Sequence, residues 1–314
     1  MKISLVIPVY NSANTIEALV FDLHKELSSS FEIEVVLVDD ASSDGSAEKC
    51  FNIAKGHAWV RFIQLSRNFG EHNAVMAGLN QCQGDVAVIL DDDFQNPPAE
   101  VIKLVKALDD DLDVVYSFYS DKRHSFFRNL GSRFTNGVAN LMLEKPKSLY
   151  LSSFKAINRF TIDQIIKYQG PFPYIDGLIF RVTGRYGRVL VDHHASRRSG
   201  GSGYTFGKLI SLWMNMFMNF SILPLRISSF AGLLFSVVGL LGALVFFIER
   251  MRDPNLPLGW ASLIISLFII SGVQLFALGM MGEYLGRLFL KDSGKPQFTI
   301  RRTVNCGESS DDVE

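Results

Sequence analysis

Two stretches of the chain contain no charged residue, and they constrain its fold more than any other feature. ISSFAGLLFSVVGLLGALVFFI fills residues 227–248 and WASLIISLFIISGVQLFALGMMG fills 260–282. At about 1.5 Å of rise per residue the first run reaches roughly 33 Å as a helix, enough to cross a hydrocarbon core of about 30 Å. Joined by the short polar link ERMRDPNLPLG, the two spans form a hairpin, and both flanks of a hairpin face the same side. The upstream flank carries Lys208 and Arg226, and the downstream flank Arg287, Lys291, Lys295, Arg301 and Arg302. The link carries only Arg250 and Arg252. Basic residues accumulate on the cytoplasmic side of membrane spans, so this bias places the N-terminal part and the C-terminus (283–314) in the cytoplasm. TFGKLISLWMNMFMNFSILPLR (205–226), with aromatic and Met residues and few charges, is predicted as an amphipathic helix at the membrane surface.

The region before the spans has a different pattern. Short β-rich runs at 3–8, 32–40, 60–66, 85–90 and 113–118 alternate with helical stretches at 15–29, 46–57, 70–82 and 100–110. Buried strands alternating with helices imply βαβ units on a mainly parallel sheet covered on both faces. Ligands of such sheets bind beyond the carboxyl ends of the strands. Bulk charge is balanced, with 31 Lys and Arg against 32 Asp and Glu, and gives no footing for nucleic-acid binding. Cys50, Cys82 and Cys306 are widely spaced and form no CxxC pair, which argues against a disulfide framework or a zinc site. The apolar run in MKISLVIPVYN is broken by Pro8 and lacks the form of a signal peptide, consistent with a cytoplasmic N-terminal domain over 1–204.

Acidic residues gather at two strand ends. VDDASSDGS (38–46) closes the second strand and LDDDFQNPP (90–98) the fourth. Neighbouring carboxylates repel and raise one another's pKa unless a cation or hydrogen-bond donors compensate. The triplet Asp91, Asp92 and Asp93 therefore either points into water from a loop or holds a metal. Alternation in an extended turn would aim Asp91, Asp93 and Gln95 at one point, and such oxygen ligands suit Mg²⁺ or Mn²⁺, ions that also bind diphosphate. In the other cluster, Asp44 and Ser46 read as helix caps, whereas Asp40 is placed to meet a nucleobase or ribose.

Residues 121–204 mix basic and aromatic residues and end in HHASRRSGGSGY (193–204), a basic, Gly-rich segment that looks like a phosphate-binding lid. His72 reads as a packing residue, and His193 and His194 carry no evident chemistry. No GxSxG, HExxH or Walker A pattern occurs.

IPVYN, VDDASSDGS, LSRNFGEHNAVMAGL and LDDDFQNPP, in this order and spacing and followed by a two-span end with MGEYLGR (281–287), resemble glycosyltransferase family 2. Within it the likeness is to the polyprenyl-phosphate glycosyltransferase branch. The resemblance implies an α/β fold of GT-A type, a nucleotide-sugar-binding domain carrying an interfacial helix and a C-terminal transmembrane hairpin. It implies transfer of a sugar from a UDP-sugar to undecaprenyl phosphate at a bacterial inner membrane, dependent on Mg²⁺ or Mn²⁺, for a cell-surface glycan or lipid A, by a homo-oligomer such as a tetramer. Pro8, Tyr10, Asn11 and Asp40 match the nucleotide-binding positions, and Asp91, Asp93 and Gln95 the metal and diphosphate motif. Arg197 and Ser202 match the lid residues that reach phosphates. Arg128, Arg133, Lys155 and Arg198 are further cations for an acceptor phosphate.

The chain also departs from the pattern. Ser12 and Ala13 stand where relatives often have Glu, Gly203 where they often have Lys, and SLYLSSFKAINR (148–159) lacks an acid common there. No carboxylate base is evident. A polyprenyl phosphate has a second pKa of about 6 and is largely dianionic at neutral pH, so it can attack without one. Two other readings stand beside the transferase. A processive polysaccharide synthase would carry QxxRW, but Trp59, Trp213 and Trp260 do not follow Arg. A non-catalytic scaffold or flippase accessory would have kept the fold without the chemistry.

Overall fold

The computed structural model describes residues 1–109, 111–119, 151–192, 223–252, 259–292, 294 and 296–306. They divide into two units, one of Met1–Ile210 with Pro296–Glu314 and the other of Ser211–Lys295.

The first unit is built on β1 (Lys2–Val9), β2 (Glu32–Asp39), β3 (Val60–Leu65), β4 (Val86–Ile89), β5 (Val114–Phe118), β6 (Lys155–Asn158), β7 (Tyr186–Leu190) and β8 (Ile300–Val304). They form one sheet in the order β7-β5-β6-β4-β1-β2-β3-β8. The pairs β1/β2, β1/β4, β2/β3 and β5/β7 are parallel, while β6 and β8 run antiparallel to their neighbours. The helices are α1 (Ile16–Leu27), α2 (Ser46–Gly56), α3 (Glu71–Gln81), α4 (Pro98–Ala107), α5 (Arg159–Ile165) and α6 (Ile175–Val182).

Strand alternation sorts these helices between the two faces. Ile3, Leu5 and Ile7 of β1 and Val35 and Leu37 of β2 share a core with Leu19 and Leu23 of α1, Ile53 of α2 and Leu104 of α4. Val6, Val36 and Val38 share the opposite core with Met76 and Leu79 of α3, Ile162 of α5 and Ile179 of α6. A side chain at Gly78 would meet Val6 Cγ1 at 2.5 Å, so the bare α-carbon there lets α3 lie close on β1.

β8 falls within the segment expected as a tail. It adds to the free edge of β3, and Ser66 N–H donates to Thr299 O at 2.9 Å beside it. The Asn305 amide then donates to Ala54 O at 2.7 Å and Val60 O at 2.8 Å, while the Arg302 guanidinium lies 4.2 Å from the Phe51 ring centroid. These contacts hold the chain end on α2 and β3.

The second unit contains α7 (Leu223–Arg252) and α8 (Trp260–Asp292), which neighbour each other. At 30 and 33 residues they span roughly 45 and 50 Å. Large apolar side chains, among them Phe230, Leu234 and Leu241 of α7 and Leu267, Ile270 and Phe276 of α8, are exposed. Among the described residues one helix is long and apolar enough to cross a membrane, α8 over Ile269–Gly286. Of the expected interfacial helix 205–226, residues 205–222 lie outside the described residues, and the last four open α7.

Candidate functional site

The sheet reverses its direction of growth between β1 and β4. The chain runs outward through β2 and β3 and then returns to pair β4 on the other side of β1. At such a switch point the loops leaving the two strands diverge and open a crevice at their carboxyl ends. Residues 10–15 and 90–97 line this one, with 40–45 and 66–70 alongside.

Three of these loops hold a non-glycine residue in the left-handed region: Asn11 (φ 54°), Ala41 (φ 57°) and Phe94 (φ 62°). Each such residue costs of order 1–3 kcal/mol, and strain of this kind gathers where a loop is held for function. Hydrogen bonds hold it here. Asn11 Oδ1 accepts Ser43 N–H at 2.8 Å, Asn11 N–H donates to Ser42 Oγ at 3.0 Å, and Ser12 N–H donates to Ser46 Oγ at 2.7 Å.

The acids at the end of β2 are answered by backbone amides. Asp39 is fully buried and accepts Ser42 N–H at 3.3 Å. Asp44 accepts Ala13 N–H and Ser46 N–H, each at 3.0 Å. Against the cost of its partial burial, the Ser46 hydroxyl and these amides lower the Asp44 pKa. Asp40, expected to read a base, is 4% exposed; its two oxygens accept Phe69 N–H at 2.7 Å and Gly70 N–H at 2.9 Å. In this state Asp40 orders the start of α3, and burial raises its pKa while the two amides oppose the rise.

The triplet at the end of β4 is arranged differently. Asp91, Asp93 and Gln95 are partly exposed, while Asp92, Phe94 and Asn96 between them are buried. The three predicted ligands thus share a side. Asp91 Oδ2 accepts the Ser153 hydroxyl at 2.7 Å, and Asp93 Oδ1 accepts Gln95 N–H at 3.0 Å. Burial, with Asp93 and Asp92 adding to it and Ser153 opposing, raises the Asp91 carboxyl to about 6. Among the described residues no three His, Cys, Asp or Glu side chains form a metal cage. A magnesium-like ion needs none, because one or two carboxylates plus substrate phosphates complete its coordination. Asp91 and Asp93, neighbouring acids on one partly exposed side of the loop, fit that requirement.

Near these acids lie Glu71, which the sequence reading does not single out, and two residues that it does, His72 and Lys155. Glu71 opens α3 with the accessible surface of an exposed residue. The protein around its carboxyl, with Asp91 next in effect, still pushes it up to about 7. His72 packs edge-on against Tyr174 at 5.1 Å, and burial lowers its pKa to about 4, leaving it neutral. Lys155, expected to face an acceptor phosphate, is instead 3% exposed and paired with Asp176, which also accepts the Tyr116 hydroxyl at 3.1 Å. Strand β6 causes this change: Lys155 sits in register between Ile89 and Tyr116, so its side chain enters the layer beneath the loops. Pro8 is the last residue but one of β1, and Tyr10 is 44% exposed at the crevice. Arg128, Arg133, Arg197, Arg198 and Ser202, with His193 and His194, lie outside the described residues.

Comparison with known proteins follows the same lines. The pattern described as Glycosyl transferase family 2 matches residues 4–181. An undecaprenyl-phosphate 4-deoxy-4-formamido-L-arabinose transferase of Proteus mirabilis is 33% identical over 322 residues, which cover 100% of this chain and 97% of that one. A protein of the same description from Photorhabdus laumondii is 32% identical over 323 residues, with the same coverage. Among solved structures, glucosyl-3-phosphoglycerate synthase from Mycobacterium tuberculosis, in complex with Mn²⁺, uridine diphosphate and glucosyl-3-phosphoglycerate, superposes with a TM-score of 0.51 at 18% identity. The match covers 68% of this chain and 76% of that one. The same synthase with Mn²⁺, UDP-glucose and phosphoglyceric acid gives 0.52 at 20% identity over 68% and 76%. These likenesses establish a GT-A-like α/β fold.

Proposed function

The chain belongs to glycosyl transferase family 2, and we propose that it moves a sugar from a UDP-sugar to undecaprenyl phosphate on the cytoplasmic side of a bacterial inner membrane. The observation that carries this reading is the shared, partly exposed side of Asp91, Asp93 and Gln95 at the switch-point crevice. The names of the full-length relatives support the acceptor and suggest a 4-deoxy-4-formamido-L-arabinose donor.

The chemistry needs little proton transfer. A phosphate oxygen of the dianionic acceptor forms the new bond to the anomeric carbon as the bond to the diphosphate oxygen breaks, inverting that carbon and releasing UDP. Asp91 and Asp93 would hold the divalent ion, Mg²⁺ or Mn²⁺, which when bound neutralises charge on the departing diphosphate. Tyr10 and Asn11 would hold the nucleoside end, and Ser153 fixes the rotamer of Asp91. Arg197 and Ser202 of the lid would meet the phosphates, with Arg128, Arg133 and Arg198 as further cations.

We also read α7 and α8 as a transmembrane hairpin. The chain leaves the sheet domain after β7 and rejoins it at β8, so any crossings between them must be even in number. A span in α8 therefore calls for a second, and α7 supplies a helix of sufficient length.

The test is to incubate detergent-purified protein with undecaprenyl phosphate, a UDP-sugar panel that includes the formamido-arabinose donor, and Mn²⁺ or Mg²⁺. UDP release and glycolipid formation from one donor, lost in Asp93→Asn, is the expected result. Folded protein that turns over no donor would point to the non-catalytic scaffold and overturn this reading.

A further inference from the structure

Building on the crevice as a nucleotide and cation site, we propose that Asp92 is a positioning residue. Through Ser12 it ties the nucleotide loop (10–15) to the metal loop (90–97), so that ordering one orders the other. Asp92 is 5% exposed and lies on the opposite side of its loop from Asp91 and Asp93. Its Oδ2 accepts Tyr10 N–H at 3.1 Å and also the Ser12 hydroxyl, while its backbone carbonyl accepts Thr15 Oγ1 at 2.9 Å.

Three positions of one loop, Tyr10, Ser12 and Thr15, are thus fastened to a single residue of the other. The fastening is buried beneath the two loops, one carrying the residues that would hold the nucleoside and the other those that would hold the ion. The loop it grips is itself under strain, with Asn11 at φ 54°, and Phe94 at φ 62° follows on the other side. A hydrogen bond that fixes a strained loop in one state transmits that state to whatever the loop binds.

Ser12 presents a hydroxyl donor to the buried Asp92 carboxylate, and the two residues form a matched pair.

The pair can be separated from ion binding, because both side-chain bonds to residues 10–15 end on one oxygen. An asparagine oxygen can accept both without the charge, so Asp92→Asn keeps the fastening while Asp92→Ala removes it. Hydrogen–deuterium exchange of residues 10–15 in the full-length protein, with and without Mn²⁺ alone, reads the link without any nucleotide. UDP titration then reads its consequence.

Mn²⁺ should slow exchange over 10–15 in the wild type and in Asp92→Asn, but leave Asp92→Ala unchanged. UDP affinity should fall about tenfold in Asp92→Ala and stay within about threefold of wild type in Asp92→Asn, as expected of a moderate coupling between sites. Ser12→Ala should lie between them, and the Ser12→Ala/Asp92→Ala double variant should be no weaker than Asp92→Ala, because the two act as one unit. Additive losses, or Asp92→Asn as damaging as Asp92→Ala, would show that Asp92 acts by charge and sink the link. Should Asp92→Ala not fold, Ser12→Ala still decides, since an unchanged response of residues 10–15 to Mn²⁺ contradicts the link. Wild-type protein that binds no UDP overturns the proposed function, whereas the exchange result stands separately.

Discussion

The acidic groups at the ends of β2 and β4 look alike in sequence and differ in what surrounds them. At β2, Asp39, Asp40 and Asp44 accept backbone amides of loops 42–46, 69–70 and residue 13, and each negative charge helps to fold a loop. At β4 the buried Asp92 is tied to another loop, through the Tyr10 amide. Asp91 accepts the Ser153 hydroxyl and Asp93 the Gln95 amide of its own loop, and the Asp91 carboxyl rises to about 6. Acids whose oxygens are taken up by the amides of neighbouring loops shape the fold, whereas Asp91, raised by burial and by its acidic neighbours, would gain from a cation. Substitutions at the two clusters should therefore have opposite consequences for stability and activity.

The largest effect is expected at β4. Asp93→Asn should lower glycolipid formation at least about 100-fold, in line with the removal of one charge-stabilising group from a transfer site. Initial rates under saturating donor and Mn²⁺ measure it. A loss of less than threefold would return the triplet to the status of a solvated loop.

Asp40→Ala breaks the comparison from the other side. It leaves the amides of Phe69 and Gly70 without their acceptor, so stability should fall by about 1–3 kcal/mol. A lowered unfolding temperature in detergent would record it, and an unchanged one would show that Asp40 is free for a base.

A third prediction concerns pH. The Asp91 carboxyl lies near 6, and only its charged form binds a cation, so protons compete as pH falls. Mn²⁺ affinity should be level above about pH 7 and decline about tenfold per unit well below 6, where the group is mostly protonated. A break near 4 would mean an ordinary, uncrowded carboxylate.

The smallest effect is assigned to His72, behind the β4 cluster. Burial depresses its pKa from 6.5 to about 4, so the unfolded chain takes up its proton first. Stability is then lost as pH falls from 6.5 towards 4. Since His72 retains some exposure, the loss should be of order 1–2 kcal/mol. His72→Gln should flatten that part of the unfolding-temperature profile.

The strands and helices to residue 118 were legible because largely buried strands alternate there with amphipathic helices. Legibility ended where an element depends on distant partners. KAIN (155–158) is four residues long and becomes a strand because it fits antiparallel between β4 and β5. IRRTV (300–304) carries two arginines, and its partner β3 lies far upstream. At the site, the period of two puts Asp91, Asp93 and Gln95 on one partly exposed side of their loop. Orientation set by tertiary packing was hidden, and it turned Lys155 onto Asp176 and Asp40 onto the α3 amides. Glu71 carried a signal in hindsight: an acid at the start of a helix that points at a cluster of acids.

The most direct measurement pairs thermal unfolding with Mn²⁺ and UDP titration for the wild type and Asp91→Asn at pH 7. In the fold the charged Asp91 is disfavoured, and at pH 7 that penalty is fully present. Without metal, Asp91→Asn should therefore unfold at a higher temperature than wild type, while losing the binding of Mn²⁺ with UDP. A variant that unfolds at a lower temperature and still binds Mn²⁺ with UDP would contradict the account, because the carboxylate would then be serving the fold and not a cation.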